Sequence, residues 1–89
     1  MPTDRQFRVF GRWALASDGL QWVLQRRKGK QWEGVKFIRS TKAHLAYRMK
    51  YLEVPPDDAE RLLEGLPDTF DEWNSNRASS EAFLIDRVA

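Results

Sequence analysis

The residues able to do chemistry in this chain form two sets of opposite charge. The first is Arg26-Arg27-Lys28-Gly29-Lys30, with Trp32 just beyond it. Four cations around one glycine suit a hairpin tip that meets phosphate oxygens, contacts that set position and carry the salt-dependent part of nucleic-acid affinity. Gln21 and Gln25 share the parity of Arg27 and bear amides of the kind that read base edges. Trp32 and Phe10 offer rings on which bases or sugars stack. A competing account is that Lys and Arg at a hairpin tip only keep a sheet edge soluble. What speaks for binding is that the cations continue along the strands at Arg8, Arg12 and Lys36.

The second set is acidic: Glu53, Asp57, Asp58, Glu60, Glu64, Asp68, Asp71 and Glu72. Asp57, Asp58 and Glu60 are of the type that binds a hard cation. They also open a helix, where acids complement the positive dipole end, and that structural role accounts for them. Asp68 and Asp71 have the spacing of ordinary capping. No metal site is predicted.

Catalytic chemistry has little to work with. The single histidine, His44, and the absence of cysteine leave no Cys–His pair, no His-rich zinc site and no disulfide. The five glycines are scattered, so no phosphate-cradling loop exists. The expectation is a protein that is not an enzyme and takes no cofactor. Lack of cysteine fits a reducing, cytoplasmic setting. No apolar leader and no window approaching 18 apolar residues appears, so neither secretion nor a membrane span is expected.

Eighty-nine residues, 42% apolar and 31% charged, are enough for one small globular domain. Four Trp, five Phe and two Tyr supply bulk for its core. Residues 7–39 read as a basic three-stranded antiparallel meander. Its runs are Phe7–Ala16, Leu20–Arg27 and Trp32–Arg39, with turns at Ser17-Asp18-Gly19 and Lys28-Gly29-Lys30. Alternation places Phe7, Val9, Trp13, Leu15, Leu20, Trp22, Leu24, Val35 and Phe37 on an apolar face. Arg8, Phe10, Arg12, Gln21, Val23, Gln25, Arg27, Trp32, Lys36 and Ile38 fall on the other, unless a bulge near Gly11 or Gly34 exchanges part of it.

Ser40-Thr41 caps a helix over 40–52, whose stripe of Leu45, Met49 and Leu52 packs on the apolar face. Pro55-Pro56 ends it. An acidic helical segment follows over 56–73: one helix from Asp57, stopped near Gly65-Pro67, then a single turn holding Phe70 and Trp73. Asn74-Ser75-Asn76 reads as a loop within a C-terminal segment, 74–89, in which Phe83-Leu84-Ile85 suits either a short helix or a short strand. The acidic segment is expected to fold over His44, Tyr47, Arg48 and Tyr51, pairing Arg48 or Lys50 with Glu60 or Glu64. The fold class is therefore α+β, a meander backed by one helix, then one or two short helices.

Charge divides along the chain. Residues 1–51 hold twelve Lys and Arg against three acids, and residues 52–89 three Arg against ten acids. The net +2 conceals this separation, which points to an electrostatic partner for one half or to attraction between the halves.

The order of three strands, a Ser/Thr-capped helix and a basic sheet face resembles the AP2-type and phage-integrase arm-type DNA-binding domains. Trp22-Val23-Leu24, Arg27-Lys28-Gly29-Lys30, Gly34-Val35-Lys36-Phe37 and Ser40-Thr41-Lys42-Ala43 carry it, over residues 7–52. The resemblance implies a sheet lying in the major groove of double-stranded DNA. Arg8, Arg12, Gln21, Gln25, Arg27 and Lys36 would face the DNA, and Lys28 and Lys30 would touch phosphate. The family pattern often has a small or acidic pair early in the helix, where this chain has Ala43-His44.

Two functional classes follow. One is a nucleic-acid-binding module using Arg8, Arg12, Gln21, Gln25, Arg27, Lys28, Lys30, Trp32 and Lys36. The other is a small protein-binding inhibitor or adaptor of the phage or mobile-element kind, anti-CRISPR-like. It presents Asp57, Asp58, Glu60, Glu64, Asp71 and Glu72 as a DNA-like row, or grips an acidic protein with its basic half. Either would be a monomer or a weak homodimer.

Overall fold

In the computed structural model, which describes residues 5–77, four antiparallel strands and three helices form an α+β fold. The strands are β1 (Arg5–Phe10), β2 (Trp13–Ser17), β3 (Trp22–Lys28) and β4 (Gln31–Ile38), paired in chain order β1-β2-β3-β4. Helices α1 (Lys42–Tyr51) and α2 (Pro56–Leu63) follow, and a third, α3, runs from 70 to 77.

The sequence reading has three strands because it runs Phe7 to Ala16 as one. Gly11 breaks that run. Its φ of +60° supplies the first central residue of a two-residue hairpin between Phe10 and Trp13, and Gly29 (φ +62°) does the same between Lys28 and Gln31. Both turns lie at one end of the sheet.

Two bulges then reassign the faces. In β1 the register shifts between Gln6 and Arg8, so Phe7 and Arg8 both turn toward the helices. In β4 it shifts between Gly34 and Lys36, so Val35 and Lys36 do likewise. Arg8, Phe10, Lys36 and Ile38 therefore lie on the helix side, not the outer side expected from alternation. Val9 and Phe37 move the opposite way and stand exposed, as does Leu20 in the β2–β3 turn. Trp13, Leu15, Trp22 and Leu24 keep the core side expected of them.

The core lies between this sheet face and the three helices. Leu45 and Met49 of α1, Leu62 of α2, Leu66 and Phe70 pack on Leu15, Trp22, Leu24 and Ile38. One end is aromatic: Phe7 lies 4.8 Å from Trp73 between ring centres, and Phe70 meets Trp22 edge-on at 5.6 Å. Such pairs add to the area they bury.

Helix ends are held by specific groups. The Thr41 hydroxyl accepts from His44 N–H at 3.1 Å and caps α1, and Thr69 accepts from Glu72 N–H at 3.1 Å and caps α3. The two caps form an isolated antiparallel bridge, with Lys42 N–H donating to Asp68 O and Phe70 N–H to Ser40 O. The cap of α3 is thus Thr69 rather than Asp68. The helix continues through Asn74-Ser75-Asn76, where a loop was expected. The helix-or-strand question at Phe83-Leu84-Ile85 lies outside the described residues.

Helix α1 ends in a Schellman motif: Val54 N–H donates to Met49 O, and Glu53 N–H to Lys50 O. The left-handed residue this motif requires is Glu53, at φ 61°.

Candidate nucleic-acid interface

The sheet face turned away from the helices is built in cross-strand rows. At the hairpin end, Arg12 carbonyl accepts from Arg27 N–H at 2.8 Å, and Arg27 pairs with Trp32. Two cations and an indole therefore share one rung. The middle rung is Val9, Ala14, Gln25 and Gly34, and the far rung Gln6, Ala16, Val23 and Phe37.

Small residues at the centre of this face have a structural reason. Gln6 Nε2 donates to Gln25 Oε1 at 2.8 Å, and that bridge spans β2, where only Ala14 and Ala16 leave room beneath it. Gly34 serves the neighbouring site. A Cβ there would stand 3.2 Å from Phe37 Cζ and 3.1 Å from Val23 Cγ1, so the Phe37 ring lies across Gly34 and against Val23.

The expected contact residues divide. Arg12, Arg27 and Trp32 come together on the outer face, Lys28 ends β3 and Lys30 lies in the adjoining turn; all but the half-buried Trp32 are exposed. Arg27 Nε donates to Gly29 O within that turn at 3.1 Å. The side chains of Arg12, Arg26, Lys28 and Lys30 have no hydrogen-bond or ion-pair partner among the described residues.

Arg8 is a correction. Its Nη1 reaches the carbonyls of Leu62 at 3.0 Å, Arg61 at 3.2 Å and Glu64, closing the C-terminus of α2 on the helix side. Lys36, opposite Leu24, is a second. Gln25 has the expected face, but it is only 6% exposed and already holds Gln6.

Gln21 Nε2 donates to Asp18 Oδ2 at 3.0 Å, while Asp18 Oδ1 accepts from the Leu20 and Gln21 N–H groups. The Gln21 side chain, aided by those backbone donors, holds the Asp18 carboxyl below the usual carboxylate range. Alternation missed Phe37 and Val9, which are 55% and 48% exposed. The signal for them was Gly34, whose place inside a strand marks a bulge or a close approach.

The acidic set has a separate location. Asp57, Glu60 and Glu64 of the α2 segment line an open groove of about 800 Å³ with Phe10, Lys42, Arg61 and Leu63. Asp58 faces the β1–β2 turn at Gly11. Asp71 and Glu72 sit apart from the groove lining, in the first turn of α3. Lys42 Nζ donates to Leu66 O, and the Arg61 guanidinium lies 5.7 Å from the Phe10 ring centre.

The expected pairing of Arg48 or Lys50 with Glu60 or Glu64 is absent among the described residues. Arg48 Nε donates instead to His44 Nε2 at 3.3 Å and its guanidinium stands over Tyr47. Tyr47 and Tyr51 remain open to solvent. Among the described residues no group of His, Asp and Glu converges on a metal position, and no helix is long and apolar enough to cross a membrane.

Compared with protein-family models, curated proteins and solved structures, the chain matches none.

Proposed function

We propose that this chain is a non-enzymatic nucleic-acid-binding module that works through the outer sheet face and its hairpin end. The observation that carries the reading is the Arg12–Arg27–Trp32 rung, continued by Lys28 and Lys30 and left uncovered by all three helices. These four cations concentrate positive charge at one end of the sheet, and none of the four has an ion-pair partner among the described residues. Phosphates are the natural complement, and ring stacking on Trp32 adds a contact that phosphate alone does not supply. The likeness of residues 7–52 to AP2-type and integrase arm-type domains supports the same reading through element order, since β2, β3 and β4 precede the capped helix α1. On that reading the contact set is Arg12, Arg27, Lys28, Lys30 and Trp32, without Arg8 and Lys36.

Fluorescence anisotropy of a labelled oligonucleotide tests it. If these four cations neutralise phosphates, log K falls with log salt at a slope of roughly −2.8 to −3.6, so raising salt from about 50 to 200 mM weakens binding roughly 50- to 150-fold. Undetectable binding at the lower salt contradicts the reading.

A second reading is favoured by the groove on α2. Asp57, Glu60 and Glu64 bring three carboxylates to a concave surface that also carries Leu63 and Phe10. A basic protein segment with an apolar side chain fits that chemistry, and an inhibitor or adaptor would use it. Joint replacement of Asp57, Asp58 and Glu64 by their amides separates the readings: it abolishes capture of a basic protein partner, and it leaves oligonucleotide affinity equal or higher.

A further inference from the structure

We infer that the outer face takes single-stranded nucleic acid in preference to duplex, stacking unpaired bases on Phe37 and Trp32 while Arg12 and Arg27 neutralise the strand. The inference deepens the nucleic-acid reading and rests on it.

Duplex recognition by a sheet needs extended polar side chains that reach base edges in a groove. On this face the amides are engaged, Gln25 nearly buried under its bond from Gln6 and Gln21 bound to Asp18, so the only extended polar groups left on it are Arg12 and Arg27 at the hairpin end. Beyond those arginines, what stands out from the face is apolar, namely Phe37 and Val9, with Trp32 half-buried beside Arg27. A duplex presents phosphates and hides its base faces, so it would desolvate Phe37 and Val9 without giving either a partner. A single strand presents both phosphates and π faces, the pair of chemistries this surface carries.

The Phe37 ring is also already placed. It lies over Gly34 and against Val23, so little side-chain freedom remains to be lost when a base stacks on it. Trp32 and Phe37 are five residues apart on β4, roughly 15 Å, so the two rings receive bases some nucleotides apart on one strand. The cations cluster at the Trp32 end, which gives the site an electrostatic entrance and an apolar far end. The chemistry this face offers is ring and cation, so the base stack rather than the sugar decides affinity.

The test compares an oligothymidine of about twelve nucleotides, the matching oligouridine and a duplex of equal length in anisotropy titrations. The proteins are the parent, Phe37→Leu and Trp32→Leu, each with a thermal melt. Leucine keeps an apolar cover over Gly34 but removes the π face, so a merely structural role for Phe37 is rescued and stacking is not.

The expected result is oligothymidine binding at least about tenfold tighter than duplex, with each variant losing about tenfold on the single strand while melting like the parent. Comparable oligouridine binding supports the inference, and a preference of about tenfold or more for either sugar overturns it. Duplex binding as tight as single-strand binding also overturns it, as does unchanged affinity of a folded Phe37→Leu protein; both leave the nucleic-acid reading standing. Failure of all three probes to bind removes both.

Discussion

Replacing Arg8 by methionine separates a structural cation from those proposed to bind nucleic acid. Arg8 Nη1 carries two hydrogens and serves the carbonyls of Arg61, Leu62 and Glu64, so it contributes about two charge-assisted hydrogen bonds at the end of α2. The site is part-exposed, which puts each below the usual ~1.5–3 kcal/mol for bonds to charged groups, at about 1 kcal/mol. A positive charge at a helix C-terminus adds about 0.5 kcal/mol. Methionine keeps the packing of the stem but leaves those carbonyls to water, so Arg8→Met costs about 2–3 kcal/mol. For a domain of this length that lowers Tm by roughly 10–20 °C. Urea denaturation followed by Trp fluorescence measures the loss, and anisotropy measures oligonucleotide affinity on the same protein below its transition. The expected outcome is lost stability with affinity kept. Arg27→Met gives the converse, stability kept and affinity lost. A fully stable Arg8→Met protein with weakened oligonucleotide binding would refute the face assignment made by the β1 bulge.

Other outcomes follow from local geometry. Glu53→Gly removes a left-handed non-glycine residue from the end of α1 and raises stability by about 1 kcal/mol, read as a higher urea midpoint. Thr41→Ala and Thr69→Ala each cost about 1 kcal/mol as caps. Because the two threonines are bridged, their double-mutant cycle gives a coupling energy clearly different from zero. The Asp18 carboxyl is held below its ordinary value in the folded chain, so its contribution is complete at neutral pH. That contribution is lost as pH falls below the usual carboxylate range and through the lowered value. The stability gap between parent and Asp18→Ala is therefore wide at neutral pH and narrows in acid.

Most core positions were legible because alternation and the helical stripe survive local irregularity. Trp13, Leu15, Trp22 and Leu24 lie on the two inner strands, β2 and β3, which carry no extra residue of their own, and their parity holds from end to end. Leu45 and Met49 follow the helical period as expected. The edge strands were not legible in the same way. One additional residue in β1 and one in β4 invert every later side chain, and the residues inverted included Arg8 and Lys36 from the candidate site and Val9 and Phe37 from the expected core. Gly34 marked one bulge; nothing in the local sequence of Phe7 marks the other.

Side chains with two possible duties were the second source of error. Gln25 and Gln21 have the types and parity of base-reading residues, yet each found a partner inside the chain that spacing does not reveal. Arg48 chose a neighbour one helical turn away over the acids of α2. Arg12 and Lys30 in the turns and Lys28 at the end of β3 keep side chains without a hydrogen-bond or ion-pair partner among the described residues.

The most direct measurement of the central claim is amide and indole chemical-shift mapping of the labelled protein during titration with a single-stranded oligonucleotide. The expected shifts concentrate at Arg12, Val23, Arg27, Lys28, Lys30, Phe37 and the Trp32 indole, with α2 little changed. Shifts centred on Glu60 and Glu64, or none at all, would contradict it.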